Sequence, residues 1–287
     1  MFASSPFPDL LHYAGLWLRG YLLVLALMAM GAVLERRWPA DLLQSRAGQR
    51  FNMTYAGIYI ALTEAAKPLT AAAGVAIVNA LGGGMVVLVS RGWGAVASFV
   101  IVLLTIDLLE YAFHRLQHTW PLLWKLHSLH HSAVEFNVTV TLRHHWFEFL
   151  IKGCLLYPLV GVMFKVEPWI VGATSLVFMF GNYFAHLNLR VDLGRYATWI
   201  NNPQYHRLHH SNRPEHFDHN FTQLLPLWDH LFGTRWVPEK HEWPATGLAG
   251  GAQPHSLLGA LSWPLRLPAG RAARAGSKPM AMDQEPK

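Results

Sequence analysis

Five apolar stretches dominate the chain: roughly Gly15–Leu34, Tyr55–Val78, Trp93–Phe113, Phe149–Phe164 and Pro168–Phe184. Each approaches the ~20 residues that a helix needs to cross a bilayer. A segment in lipid must satisfy its own backbone polar groups, which an α-helix does by itself. Composition points the same way, with 14% charged and 52% apolar residues against roughly 25% and 45–50% in an ordinary soluble domain. The expected fold class is all-α, a multi-spanning integral membrane helical bundle. Two stretches are imperfect. The second contains Glu64, Lys67 and Pro68, and the fourth and fifth are separated only by Lys165-Val166-Glu167. That pair either crosses fully as a tight hairpin or dips in partway.

The first stretch is too long for a signal peptide and has no small-residue cleavage site, so it is expected to remain as an anchor. Arg36, Arg37, Arg46 and Arg50 follow it. The positive-inside rule places that loop in the cytoplasm and the N-terminus outside. Alternating crossings then bring the chain after Phe113, and again His186, to the cytoplasmic side. From His186 to about Trp243 the sequence is polar, aromatic and rich in histidine, which suits a cytoplasmic helical cap on the helix ends. The expected organisation is residues 1–90 as N-terminal membrane-anchoring helices, 91–243 as the catalytic domain, and 244–287 as a C-terminal extension. From about residue 265, Pro, Gly, Ala, Ser and scattered charge predict disorder.

The formal charge is +6, of which Arg266, Arg271, Arg274, Lys278 and Lys287, set against Asp283 and Glu285, supply +3. No basic run is interleaved with aromatics, so nucleic acid is not an expected partner and the remaining charge reads as membrane topology. The single cysteine, Cys154, excludes an internal disulfide and any cysteine-built zinc or iron–sulfur site. A metal must be held by nitrogen or oxygen.

Seventeen histidines are present, and fourteen fall between His114 and His230. Their spacing is ordered: His114-Arg-Leu-Gln-His118, His127-Ser-Leu-His130-His131 and His206-Arg-Leu-His209-His210. Residues at i, i+3 and i+4 share one face of a helix, so each cluster aims its imidazoles in one direction. Neutral imidazole binds iron, zinc, copper or nickel. With His186, at the end of the fifth stretch, the candidate ligands are His114, His118, His127, His130, His131, His186, His206, His209 and His210. These are too many for one metal and suit two. His144 and His145, near Arg143, are further candidates as ligands or as partners of ligands, as are His219, Asn182 and Glu148. His12, His216, His230, His241 and His255 read as structural or solvated. Asp107 and Glu110 lie within or near the membrane and need partners. Asp107, seven residues before His114 and on the same helix face, is expected to orient an imidazole N–H.

These boxes, with Asp107…Glu110-Tyr111…His114-Arg115, His131-Ser132, Arg143-x-His145-x-x-Glu148, Asn201-Asn202-Pro203-Gln204-Tyr205-His206 and Trp228-Asp229-His230-Leu231-Phe232-Gly233-Thr234, resemble the fatty acid hydroxylase and sterol desaturase superfamily. The resemblance covers about Asp107 to Thr234. It implies an all-helical membrane fold with a cytoplasmic centre of two iron ions, using dioxygen to hydroxylate or desaturate a lipid. The three boxes carry over their ligand role to the eight histidines in them, and His186 matches an additional family histidine. Asn182 stands where some members have another histidine, and Asp218-His219-Asn220-Phe221 follows an acidic-x-Asn-aromatic pattern loosely.

A C–H bond among methylenes offers no proton to a side-chain base, so the expected chemistry comes from the metal, with the protein placing substrate and excluding water. The chain has no dinucleotide fingerprint, cysteine set or haem signature. Electrons are therefore expected from an external reductase, ferredoxin or cytochrome. The alternative is a membrane metal transporter or metal-binding protein using the same histidines, though transporters place their ligands at mid-membrane on broken helices. A haem carrier needs only two histidines, and a zinc hydrolase lacks its HExxH here.

Overall fold

The computed structural model describes residues 10–191, 193 and 196–266. Helix α1 (Leu10–Arg37) and α2 (Arg46–Ala80) pack as a pair, followed by α3 (Gly92–Thr119) and the short α4 (Pro121–His131). A 3-10 turn over Val138–Leu142 leads into α5 (Trp146–Ile151), a π-helical turn (Lys152–Leu156) and α6 (Pro158–Met163). Helix α7 (Pro168–Ala185) returns, and α8 (Pro203–His209), α9 (Leu227–Leu231), α10 (Leu257–Leu261) and α11 (Trp263–Arg266) complete the described chain. The only sheet among the described residues is a parallel pair, β1 (Val86–Val87) with β2 (Phe164–Lys165).

Among the described residues, four helical segments are long and apolar enough to cross a membrane: Leu11–Arg37, Arg46–Ala80, Gly92–Thr119 and Trp146–Met163. Their outer faces carry exposed Leu22, Leu23, Met30, Leu69, Val75, Val100 and Leu155, an apolar coat that water would penalise and acyl chains accept. The fifth expected stretch is also helical, as α7, but it is not among these four: its 18 residues include Thr174, Ser175, Asn182 and Tyr183. Pro68 does not interrupt α2, which is helical on both sides of it. The missing Pro68 N–H removes one donor, a loss that neighbouring groups absorb in membrane helices.

The β1–β2 pair fixes relative sidedness. It joins the turn between α2 and α3 to the turn between α6 and α7, with Leu88 N donating to Lys165 O at 3.0 Å. The hairpin of the fourth and fifth stretches thus reaches the same level as the α2–α3 hairpin. At the opposite end Glu35, near the C-terminus of α1, accepts from Val138 N at 2.7 Å and from Asn188 N, just beyond α7, at 2.8 Å. A bridge between Pro39 and Leu189 continues that join. The arginine-bearing loop 36–50 and the ends of α3 and α7, where the histidines begin, therefore share one end of the molecule.

The stretch after residue 243, expected as an extension, packs onto this end as far as Arg266. Trp263 is buried with Tyr55, Trp124 and Leu129, and its indole donates to Ser128 Oγ at 3.1 Å. Aromatic burial holds the segment here despite its polar, Gly-rich start. The disorder expected from about residue 265 falls, beyond Arg266, outside the described residues.

Candidate metal centre

Helix geometry delivers the histidines. His114 and His118 occupy the last turns of α3, and Pro121 starts α4, whose final turns present His127, His130 and His131. Asn202 caps α8 by accepting from Gln204 N and Tyr205 N, with Pro203 at the first position, so His206, His209 and His210 follow on a preset face. His186 closes α7.

These nine side chains meet in two groups: His114, His118, His127, His131 and His209 in one, and His130, His186, His206 and His210 in the other, with ligating atoms within 4.8 Å of one another in each. The groups touch, since the rings of His131 and His210 stack at 4.4 Å. In the second group ε nitrogens converge. His186 lies 3.1 Å from both His130 and His206, and His210 lies 3.2 Å from His206. In the first group His131 Nε2 is 3.1 Å from that of His118 and 3.2 Å from that of His127.

Protonation decides what such convergence means. His114, His186 and His209 each place Nδ1 against a backbone carbonyl, those of Phe221 at 2.6 Å, Asn182 at 2.8 Å and His219 at 2.7 Å. A carbonyl only accepts, so Nδ1 carries the proton and Nε2 keeps a bare lone pair. The ε nitrogens of His114 and His209 are buried without a hydrogen-bond partner. Burial first, then neighbouring imidazoles, holds His130, His131, His206 and His210 well below the ordinary histidine value. Burial likewise brings His186 and His209 down to about 3. Neutral rings with converging lone pairs repel one another unless a cation lies between them. The observed nitrogen separations match neighbouring ligands of one ion at metal–nitrogen bonds of ~2.1 Å. The residues present fit two metal ions.

The supporting layer comes from distant segments. Glu148, buried, accepts from Gln117 Nε2 at 2.6 Å and lies 3.4 Å from His127 Nδ1 and 3.5 Å from His144 Nδ1. His144 stacks on His130 at 4.0 Å. The carbonyls that orient His114 and His209 belong to residues 219–221, in a segment where Asp218 and Asn220 adopt left-handed backbone, φ 60° and 59°. Asp and Asn are the non-glycine residues that adopt that conformation most readily, and here hydrogen bonds fix it. Here Asn220 bonds Tyr205 O, Trp236 O and Trp236 N, while Asp229 accepts from Phe221 N at 2.8 Å and Thr222 N at 3.0 Å.

Asp107 differs from its expected role. Its carboxylate accepts from Leu224 N at 3.0 Å, Leu225 N at 3.1 Å and Trp228 Nε1 at 3.0 Å, and not from His114. Its effect on His114 is indirect, through the segment whose Phe221 carbonyl holds that ring. Asn182 acts through its backbone carbonyl, and its side chain lines the cavity beside the histidines. His145 points away, with Nε2 3.0 Å from Leu261 O. His219 contributes its carbonyl, while its ring packs on Trp236. His216 is held by Ser211 and Glu242, in keeping with a structural role. Sequence reasoning missed Gln117 and Lys152. Lys152, the partner of Glu110, announced itself only as an isolated charge in an apolar run.

Residues 99–234 match the family model described as fatty acid hydroxylase. Over 155 residues the chain is 28% identical to an alkylglycerol monooxygenase of Xenopus tropicalis, covering 54% of this chain and 34% of that one. Over 162 residues it is 30% identical to the ornithine lipid hydroxylase OlsE of Rhizobium tropici, covering 55% and 47%. A very-long-chain aldehyde decarbonylase of Oryza sativa subsp. indica is 26% identical over 140 residues, covering 45% and 22%. The match thus spans less than half the length of each of these relatives. No solved structure matches.

Proposed function

We propose that the chain, whose residues 99–234 match the family model described as fatty acid hydroxylase, is a membrane-bound oxygenase that oxidises a C–H bond of a lipid. The observation that carries this reading is the convergence of nine imidazoles into groups of five and four. Relatives named alkylglycerol monooxygenase and ornithine lipid hydroxylase support a lipid substrate, and the lipid-facing apolar helices support delivery from the bilayer.

The proposed ligands are His114, His118, His127, His131 and His209 for one iron ion and His130, His186, His206 and His210 for the other. Bound there, the pair of iron ions supplies the activation of dioxygen that attack on an unactivated C–H bond requires. The chain's own residues do the rest. The carbonyls of Phe221, Asn182 and His219 keep the protons of His114, His186 and His209 on Nδ1, leaving Nε2 free to ligate. Glu148 holds His127 and His144. A cavity of about 180 Å³ opens beside His114, His127, His130, His186 and His206, so substrate reaches both groups from one side.

Electrons are proposed to come from a separate reductase, ferredoxin or cytochrome. The cytoplasm is the proposed compartment, because the centre lies at the same end as Arg36, Arg37, Arg46 and Arg50; a reporter fused after Thr119 and read outside would overturn that placement. For the reaction itself, natively purified protein is expected to contain about two irons per chain, and membranes holding it to consume dioxygen in step with a lipid product seen by mass spectrometry. Zinc or no metal in gently purified protein, with no oxygen uptake, counts against the oxygenase.

A further inference from the structure

A second cavity, of about 400 Å³, lies between α3, α6 and α7 among Ile106, Val160, Val171 and Phe178. Ser175 on its rim is exposed, so it opens toward the lipid-facing side. It shares Glu110, Lys152, Tyr157 and Gln223 with the cavity beside the histidines. The two spaces therefore meet at a polar throat.

That throat is built by the π-helical turn. Positions i and i+5 of an α-helix stand about 140° apart around the axis. The wider turn over Lys152–Leu156, closed by Tyr157 N to Lys152 O at 2.9 Å, brings Lys152 and Tyr157 onto one side. Both reach Glu110: Lys152 Nζ at 2.6 Å and Tyr157 Oη at 2.5 Å. Lys152 also lies over the Phe113 ring at 5.6 Å. Ionisable groups at membrane depth are costly and mark functional positions, and single-turn π segments often sit at functional sites.

We propose that Glu110, Lys152 and Tyr157 sort the substrate of the lipid oxygenase proposed above, on which this inference rests. The hydrocarbon tail occupies the cavity between α3, α6 and α7, and an uncharged, hydrogen-bonding head group occupies the cavity beside the histidines. Two features lead there, and a consequence follows for where oxidation falls. The histidine-side cavity is lined by Asn201 and Thr222, whose Oδ1 and Oγ1 are buried without a hydrogen-bond partner and would stay unpaired against a bare hydrocarbon. Lys152 is already neutralised by Glu110, so the throat has no spare cation for a carboxylate or phosphate. Only the carbons next to the head lie on the histidine side, so oxidation falls beside the head group and not at mid-chain.

The test uses the full chain in membranes with iron and a reductant, and three probes of equal chain length: an alkyl glycerol, the free fatty acid and the n-alkane. The alkyl glycerol is expected to be oxidised next to its head, at least about tenfold faster than the others. Tyr157→Phe, which removes one hydrogen bond and little else, is expected to raise KM for the alkyl glycerol about fivefold with kcat nearly unchanged. It should weaken binding of the same probe to metal-free protein by the same factor. Lys152→Met is expected to do more, provided it inserts. Oxidation at mid-chain, or Tyr157→Phe without effect on KM and binding, overturns the proposal. If the wild type oxidises none of the probes while metal-free protein binds the alkyl glycerol in a Tyr157-dependent way, the throat stands and the oxygenase reading falls. If that binding is also independent of Tyr157, both fall.

Discussion

In the five-histidine group the δ nitrogens of His114 and His209 donate to carbonyls of residues 219–221, and His127 leans on Glu148. In the four-histidine group only His186 has such a hold, while the δ nitrogens of His130, His206 and His210 are buried without a hydrogen-bond partner. The first group is thus oriented from outside, by a hydrogen-bonded loop and a carboxylate. The second is oriented mainly by helix packing and by ring contacts, such as His130 on His144 and His186 against His206. Groups oriented in advance bind a metal with less loss of freedom, whereas groups that position one another depend on the ion to finish the arrangement. The cavity reaches His130, His186 and His206 of the second group and His114 and His127 of the first, so the two halves face substrate with different stiffness.

Removing one ligand from each half is the severest challenge to that distinction. His209→Ala and His206→Ala are both expected to reduce lipid oxidation below detection, since each deletes a donor that no neighbour can replace. The group that empties separates them. Each variant is expected to lose about one of two irons per chain, with the other group still filled. If either substitution empties both groups, the contrast between the halves is meaningless and the nine imidazoles are a single cooperative site.

A smaller effect should fall on one half alone. Glu148→Gln keeps shape and the Gln117 contact while weakening the hold on His127 and His144. Partners of this kind typically carry ~10–100-fold in metal affinity or activity. The expected loss lies in that range and is confined to the five-histidine group, as read by competition with a chelator. An equal loss from the group of His130, His186, His206 and His210 would show that Glu148 acts on the whole site through His144.

Acid should act on both halves of the metal-free protein. His186 and His209 have folded values of about 3, depressed below the ordinary ~6.5, with His130, His131, His206 and His210 also well below it. A depressed value means that the unfolded chain takes up protons the folded chain refuses. The stability these groups contribute is therefore complete above pH ~6.5 and declines as pH falls toward ~3. Thermal melts of metal-free protein should show Tm falling through that window, and bound metal should raise Tm throughout without removing the slope, because ligated rings also refuse the protons that the unfolded chain takes up. A flat profile would mean that the buried rings are not neutral partners.

The parts of this arrangement that local periodicity controls are the parts the chain discloses before folding. The i, i+3, i+4 rows of α4 and α8 put His127, His130 and His131, and His206, His209 and His210, on common faces, because a helix obeys one period. Hydropathy likewise located the long helices, but it began the second at Tyr55, whereas α2 starts at Arg46. Those first turns are polar and pack against protein, with Asn52 bonded to Thr139 at 3.1 Å, and an apolar scale cannot see such contacts. Long-range pairing was likewise out of reach. Asp107 shares a helix face with His114, yet its acceptors are better matched by two amides and an indole more than a hundred residues later. The π-turn that unites Lys152 and Tyr157 follows no periodic pattern either, since its register depends on what Glu110 offers across the bundle.

The smallest expected effect belongs to His145, which the sequence could not separate from the ligands. In the structure both of its ring nitrogens are committed to backbone. Nε2 faces the Leu261 carbonyl at 3.0 Å and so carries the proton, and Nδ1 accepts from Phe147 N at 3.4 Å as the cap of α5. No lone pair remains to give to a metal, and the ring lies outside both histidine groups. Its work is to tie α5 to α10, the helix that precedes Trp263. Deleting one such hydrogen bond and a cap contact costs about 1 kcal/mol, which for a chain of this size lowers Tm by roughly 2–4 °C. His145→Ala is therefore expected to keep its full iron content and most of its activity while melting slightly earlier. Iron loss comparable to that of His209→Ala would place His145 among the ligands instead, and would require the 257–261 helix to move aside when metal binds.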